Sequence, residues 1–299
     1  MPPSVNITVV TCNRIDLTRI CLGSVLPTIG RGVRVTIVDN GSTDGTREYL
    51  DAIAENHAAV SIVKLRRNMG VAVAANFGWA SMDADYYLKL DNDIEICRED
   101  WLERLLAVCE RNPRIGMAAY RFCDWHRITP EILPSGDLFH RSDCSNGACV
   151  LIPRKVHETC GFWNEDYGRY GFTDVDYSNR AVLQGWRIGY LPEENAARHL
   201  GYVQGAVSES HEQLKQATIT SKLAGERLYL LNKFLFEEGI RSCRVERKYL
   251  PDPEKGPDRF LLNEAYRPIL KLQAELQKKV DYTQDGDTIR LDLSRFKKS

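Results

Sequence analysis

The chain has 299 residues, of which 43% are hydrophobic and 27% charged, with a formal net charge of -1. That balance belongs to a soluble globular protein large enough for one big domain, or for a domain with an appendage. It excludes a general electrostatic affinity for nucleic acid, so an anionic ligand has to be met by local groups.

The first part of the chain alternates strand and helix patterns. Residues 6–11 form an apolar, β-branched run, followed by Cys12-Asn13-Arg14 and helical spacing over 16–25. A second strand over 33–38 closes on Asp39-Asn40-Gly41-Ser42-Thr43-Asp44-Gly45-Thr46, dense in turn formers and N-cap residues, and a helix over 46–55 follows. A third strand over 61–65 leads through Arg66-Arg67-Asn68-Met69-Gly70 into a helix of small residues over 71–80. The run ending at Asp91, a helix over 100–110 and a strand over 115–120 complete the series. This alternation predicts an α/β protein with a mostly parallel sheet and helices on both faces. In such sheets ligands bind at the carboxyl ends of strands, and those ends carry Thr11, Asp39, Arg66 and Asp91.

Beyond Tyr120 the alternation weakens. Residues 121–143 read as loop, 145–152 as a strand, and 165–170, rich in aromatics and charge, as a substrate-facing loop. A helix over 174–184 ends at Gly185, a strand covers 186–191, and Ala196-Ala197-Arg198-His199-Leu200-Gly201 closes a first domain, placed at 1–205. The remainder, 206–299, reads as a mainly helical extension. Leu214, Ala217, Ser221, Ala224, Leu228, Leu231 and Leu235 form one face of a long helix that starts near Ser208. Packing against the first domain is the direct reading; a partner subunit or a membrane surface are the alternatives. A proline-rich linker over 250–258, a helix over 261–280, an edge strand over 287–296 and a solvated Lys297-Lys298 follow.

No apolar run approaches the roughly 20 residues of a membrane span. Met1-Pro2-Pro3-Ser4-Val5-Asn6 leads straight into a strand and does not read as a signal peptide. Nine scattered cysteines without a Cys-x-x-Cys pair read as reduced thiols of a cytoplasmic protein, with peripheral contact at the inner membrane face left open. Cys144 and Cys149 lack a second pair or a histidine doublet, so they do not read as a metal pair.

The stretch around which these pieces are organised is Tyr86-Tyr87-Leu88-Lys89-Leu90-Asp91-Asn92-Asp93-Ile94-Glu95-Ile96. A core-type strand breaks into two carboxylates one residue apart, and burying unpaired carboxylates is costly. The charge partner this suggests is a hard divalent cation with open positions for phosphate oxygens. The bland alternative is a solvated turn with Asn92 at its apex, which is what an isolated Asp-x-Asp usually is.

Taken in order, several stretches resemble the inverting nucleotide-sugar glycosyltransferases of family two, with the GT-A fold. They are Thr8-Val9-Val10-Thr11-Cys12-Asn13-Arg14, the loop from Val38 to Thr46, Asn68-Met69-Gly70 with the helix to Gly78, Asp91-Asn92-Asp93, Gly171-Phe172-Thr173-Asp174-Val175-Asp176, and His199. The resemblance covers roughly residues 4–202 and implies the roles that follow. Asp39 reads the nucleoside, with capping of its own loop as its structural alternative; Thr11, Asn13 and Arg14 line that pocket, and Arg66 or Arg67 meets base or phosphate. Asn68 and Asn76 hold loop geometry near the nucleotide, and Gly70 permits close backbone approach. Asp93 binds a divalent cation, Mn2+ or Mg2+, with His199 completing the shell and Asp91 directed to ribose, sugar or a metal-bound water; Asn92 lies between them. Imidazole suits manganese better than magnesium. Asp174 is the base for the acceptor hydroxyl, with helix N-cap as its structural alternative, and Asp176 its downstream partner. Thr173 departs from the family, whose members carry an acidic residue there that helps raise the pKa of the base. The loop Trp163-Asn164-Glu165-Asp166-Tyr167 meets donor sugar or acceptor in relatives, and Trp163 either stacks on a sugar or packs.

The implied reaction takes a sugar from a UDP-, dTDP- or GDP-sugar to a glycan, lipid-linked or protein hydroxyl. Its rivals are a non-catalytic nucleotide-sugar-binding scaffold, which Thr173 encourages, and a nucleotidyltransferase, which needs a Gly-rich loop that Thr11-Cys12-Asn13-Arg14 does not supply. A dinucleotide oxidoreductase is disfavoured because no strand is followed by Gly-x-Gly-x-x-Gly.

Overall fold

A computed structural model describes residues 2–122, 126–193, 195–202, 224–254, 256–285 and 288–292. Parallel strands buried on both faces need continuous apolar sequence, and β1 (Val5–Thr11), buried at every position, supplies it. Around it lie β2 (Val33–Asp39), β3 (Val60–Lys64) and β4 (Tyr86–Asp91). With β6 (Ile115–Ala119), β7 (Thr129–Ile132), β8 (Leu138–Ser142), β9 (Cys149–Pro153) and β10 (Arg187–Tyr190) they form one nine-stranded sheet, ordered β3-β2-β1-β4-β9-β6-β10-β8-β7. β8 and β9 run against the other strands, so the sheet is mostly parallel as predicted. The short β5 (Ile94–Ile96) and β11 (Ala197–His199) pair separately.

Helices cover both faces. Buried residues of α1 (Ile15–Val25), α2 (Thr46–Asn56) and α4 (Trp101–Arg111) share one core cluster with Val5, Ile7 and Val9. Those of α3 (Val71–Trp79), α5 (Arg154–Cys160) and α6 (Thr173–Leu183) share the other with Val10 and Val38.

Several expectations are corrected. The supposed loop over 121–143 contains the β7/β8 hairpin; Pro130 is tolerated because β7 is an edge strand. Helix α5, seven residues long, is too short to show a period. The supposed linker over 250–258 pairs β12 (Tyr249–Asp252) with β13 (Gly256–Leu262). The helix expected over 261–280 shrinks to α8 (Arg267–Leu276), because Asn263 caps a preceding turn by accepting from the Ala265 amide. The last strand, β15 (Thr288–Asp292), pairs with β14 (Asp281–Asp285); residues 293–299 lie outside the described residues. So do 203–223, the first part of the expected long helix. Its second part, α7, is helical over 224–237, and Leu231 and Leu235 pack on Leu276 and Val280, within the C-terminal part itself rather than against the first domain as expected. No described helix is long and apolar enough to cross a membrane. Cys12, Cys21, Cys97, Cys109, Cys149, Cys160 and Cys243 are free thiols.

Candidate functional site

The loops after β1, β2 and β3 are built first from their own polar side chains. Asp39 is fully buried; its Oδ1 accepts from the Ser42 amide at 3.0 Å, the Asx-turn role, and its Oδ2 from Arg47 Nε at 2.7 Å. Asn40 Oδ1 accepts from the Met69 amide at 2.8 Å, and Asn40 Nδ2 donates to Asn68 Oδ1 at 3.1 Å and to the Gly70 carbonyl at 3.3 Å. Asn68 Oδ1 also takes the Gly70 amide at 2.9 Å, so Asn68 braces the turn that leads into α3. The Asn13 amide donates to Ser42 Oγ at 2.7 Å, and Asn13 Oδ1 accepts from the Thr43 amide at 2.8 Å. Gly41 has φ +84, and a Cβ there would lie 2.6 Å from Arg67 Cα, so only glycine lets the two loops touch. The Arg67 side chain itself is exposed.

The Asp91-Asn92-Asp93 turn is not solvated. Asn92 is 1% exposed and donates to Thr18 Oγ1 at 2.9 Å and Thr11 Oγ1 at 3.2 Å, while its Oδ1 accepts from Arg14 Nη2 at 2.8 Å. Thr11 is fully buried too, so Thr11 and Asn92 support the site from beneath instead of lining it as predicted. Arg14, held at φ 61, also donates from Nη1 to Asp93 Oδ2 at 3.0 Å. Asp91 is paired with Lys89, a buried ammonium that donates as well to the Gly147 carbonyl at 2.6 Å. Burial pushes the Asp91 carboxyl upward in pKa, and the Lys89 charge opposes that shift.

Pairing of β5 with β11 sets His199 opposite Ile94, and the Leu200 amide donates to the Asp93 carbonyl at 2.8 Å. His199 Nε2 then stands 3.7 Å from Asp93 Oδ1, a buried oxygen with no hydrogen-bond partner among the described residues. An orphaned carboxylate oxygen beside an imidazole nitrogen fits a divalent cation. The Gly201 amide donates to His199 Nδ1 at 3.1 Å, so coordination through Nε2 requires the ring proton to move to Nδ1 and that contact to open. Among the described residues no three or more His, Cys, Asp or Glu side chains converge on one point.

Asp91 and His199 share a cleft of about 230 Å³ with Lys89, Gly147, Tyr170 and Asp174. Asp174 is not the N-cap of α6; that position is Phe172, at φ 57, and Asp174 Oδ1 accepts from the adjacent Val175 amide at 3.0 Å. A Cβ added to Gly147 would lie 3.3 Å from Asp174 Cβ and 3.7 Å from Lys89 Nζ, so these two side chains flank it. Asp176, by contrast, is buried against Arg180 Nε at 2.7 Å.

Asn76 and Gly70 make their contacts within the protein. Asn76 is fully buried, donating to the Trp163 carbonyl at 2.8 Å and Glu165 Oε1 at 2.6 Å and accepting from the Trp163 amide at 3.0 Å; it clamps α3 to the 163–165 loop. Gly70, at φ +97, faces the Gly168 carbonyl, so its close approach is to protein backbone. Trp163 is 1% exposed and packs on Tyr177, ring centroids 4.6 Å apart; the exposed aromatic of the cleft is Tyr170, at 67%. Sequence reasoning misses Lys89 and Arg47, and reaches Tyr170 only as the last residue of the substrate-facing loop 165–170. Only Lys89 carries a signal, a charge inside an otherwise apolar strand.

This sheet, with carboxylates and a histidine gathered at its strand ends, is that of a GT-A glycosyltransferase. Residues 6–163 match the model of glycosyl transferase family 2, and the chain belongs to that family. It is 24% identical to an uncharacterized glycosyltransferase of Haemophilus influenzae over 270 residues, 84% of this chain and 81% of that one. It is 24% identical to the N-acetylglucosaminyl-diphospho-decaprenol L-rhamnosyltransferase of Mycobacterium tuberculosis, over 60% of this chain and 71% of that one. Among solved structures, a mannosyltransferase of Pyrobaculum calidifontis in complex with GDP-Man and Mn2+ aligns with a TM-score of 0.57 at 17% identity, covering 92% of this chain and 70% of that one.

Proposed function

We propose that this glycosyltransferase moves a sugar from a nucleoside diphosphate-sugar to an acceptor hydroxyl with inversion at the anomeric carbon. The observation that supports this best is the convergence of Asp91, Asp174 and His199 on one cleft, with the orphaned Asp93 oxygen behind His199. Asp174 takes the proton of the acceptor hydroxyl, which attacks the anomeric carbon on the side opposite the departing diphosphate. Asp93 and His199 would hold a divalent cation, Mn2+ or Mg2+, whose Lewis acidity would stabilise that diphosphate. Arg14 fixes Asp93 through its second oxygen, and Lys89 holds Asp91 at the cleft floor, where its carboxylate can accept from a sugar or ribose hydroxyl. The donor is a UDP-, dTDP- or GDP-sugar; the GDP-Man complex of the mannosyltransferase and the name of the rhamnosyltransferase keep the choice of base and sugar wide. The acceptor is a glycan, lipid-linked or protein hydroxyl, reached from the cytoplasmic side.

The test is release of nucleoside diphosphate from a panel of UDP-, dTDP- and GDP-sugars with Mn2+. One donor turns over, and Asp174→Asn lowers kcat about 10²–10⁴-fold with nucleotide affinity retained. Wild-type turnover in Asp174→Asn contradicts the assignment of the base. Nucleotide binding without turnover of any donor by the wild-type chain supports the scaffold alternative instead.

A further inference from the structure

The segment that brings Tyr170 and Asp174 to the cleft begins at Asn164, one residue past the stretch that matches the family model. Its first four residues are buried or have buried side chains, and each is held from the C-terminal part of the chain. Asp166 Oδ2 accepts from Arg241 Nη1 at 2.9 Å and from Gln273 Nε2 at 2.8 Å. Glu165 Oε2 accepts from the amides of Lys248 and Tyr249 at 3.0 and 2.9 Å. Tyr167 Oη accepts from Asn232 Nδ2 at 3.1 Å, and Asn164 Oδ1 from Tyr266 Oη at 3.3 Å. Arg241 ties these together, donating to Asn232 Oδ1 at 2.7 Å and to Tyr266 Oη at 2.6 Å.

The network continues into α6. Tyr167 Oη donates to Asp176 Oδ2 at 2.7 Å, two residues from Asp174 in the same helix. Asp176 is in turn paired with Arg180, so two carboxylates and two guanidiniums balance in the interior, all with side chains no more than 3% exposed. Burial alone would raise the Asp166 carboxyl, but Arg241 and its other partners hold it below the usual range. The second anchor is aromatic. Tyr229 stacks on Phe172, the residue from which α6 starts, with ring centroids 5.7 Å apart. Tyr229, Asn232 and Phe236 follow one face of α7, and Phe236 lies beneath the Arg241 guanidinium at 5.1 Å.

A part of the chain that merely covered the core would present apolar side chains. This one presents polar groups that pair with one another, except Asp166 Oδ1, which faces Lys248 Nζ at 3.7 Å without a hydrogen bond among the described residues; such groups are costly in the interior unless paired and therefore admit few arrangements. We propose that the C-terminal part is the platform that positions Asp174, with Arg241, Asn232 and Tyr229 as positioning residues acting through Asp166, Tyr167 and Phe172. The inference rests on the reading of Asp174 as base, and it makes the catalytic unit run through α8 instead of ending near residue 205.

Two variants test it: Arg241→Lys keeps the charge but not the fork, and Tyr229→Leu removes a half-buried ring. In both, hydrogen exchange over 164–176 rises about fivefold or more while 86–96 stays within about twofold, as expected for local loosening. With the donor found in the screen, kcat falls about tenfold while donor KM and Mn2+ affinity stay within about twofold, the mark of misplaced catalytic geometry. Unchanged exchange over 164–176, an equal rise in both segments, or wild-type kcat overturns the proposal; if Arg241→Lys does not fold, Tyr229→Leu decides alone. Should Asp174→Asn keep full turnover, the reading of the base fails, and the exchange result still decides whether the platform exists.

Discussion

The two sides of the cleft are held together differently. On the side of β1, β2 and β4, partners come from the same loop or from strands already adjacent in the sheet: Asp39 with Arg47, eight residues on, and Arg14 with Asp93 across the ends of β1 and β4. On the side of α6, partners come from far along the chain, Asp166 meeting Arg241 75 residues away and Gln273 107 residues away. The first side is thus built by local turn chemistry on a βα frame. The second is built by folding back a separate segment whose polar groups match it.

That contrast can be broken by removing one cation on each side. Arg241 and Asp166 are both almost fully desolvated, so Arg241→Met leaves a buried carboxylate without its close counterion and costs about 3–5 kcal/mol of unfolding free energy. Arg47 is about a third exposed, 34% by side chain, and Asp39 keeps the Ser42 amide. Arg47→Met therefore costs less, about 1–3 kcal/mol. Urea titration of both variants checks the order; equal losses would erase the distinction between the sides. A smaller effect sharpens it by pH. Asp166 has its folded pKa depressed below the unfolded value of about 3.9, so its contribution to stability is present above that value and lost as pH falls through the folded one. Stability should drop more steeply with acid below about pH 4 in the wild type than in Asp166→Asn, followed by urea midpoint against pH.

The same contrast explains what can be read from the sequence. Strand ends followed by Asp39-Asn40-Gly41 or by Asp91-Asn92-Asp93 announce themselves, because turn formers and carboxylates directly after an apolar run mark a sharp turn, a bound cation or both. What each side chain does there is less legible: Thr11, Asn92 and Asn76 have the residue types of ligand contacts but use their hydrogen bonds internally. Whether an amide faces a ligand or a neighbouring loop depends on burial, which periodicity does not resolve. On the far side, Arg241, Asn232 and Gln273 sit in stretches whose local pattern is only helix or turn. The apolar stripe of α7 is visible in the sequence, and Leu231 and Leu235 pack as such. The adjoining polar face gains meaning only once Tyr167 and Asp166 are placed against it. Proline at the edge strand and the β12/β13 hairpin mislead for the converse reason, since short, exposed strands carry little period-two signal.

The central claim is that Asp93 and His199 share one cation beside the cleft that Asp174 lines. Pulsed electron paramagnetic resonance of Mn2+ added to the protein reads this directly, without knowledge of donor or acceptor. The account predicts one bound Mn2+ with nitrogen coupling from an imidazole, the coupling lost in His199→Ala and the binding itself weakened about tenfold or more in Asp93→Ala. Mn2+ bound with wild-type affinity and unchanged nitrogen coupling in both variants would contradict it.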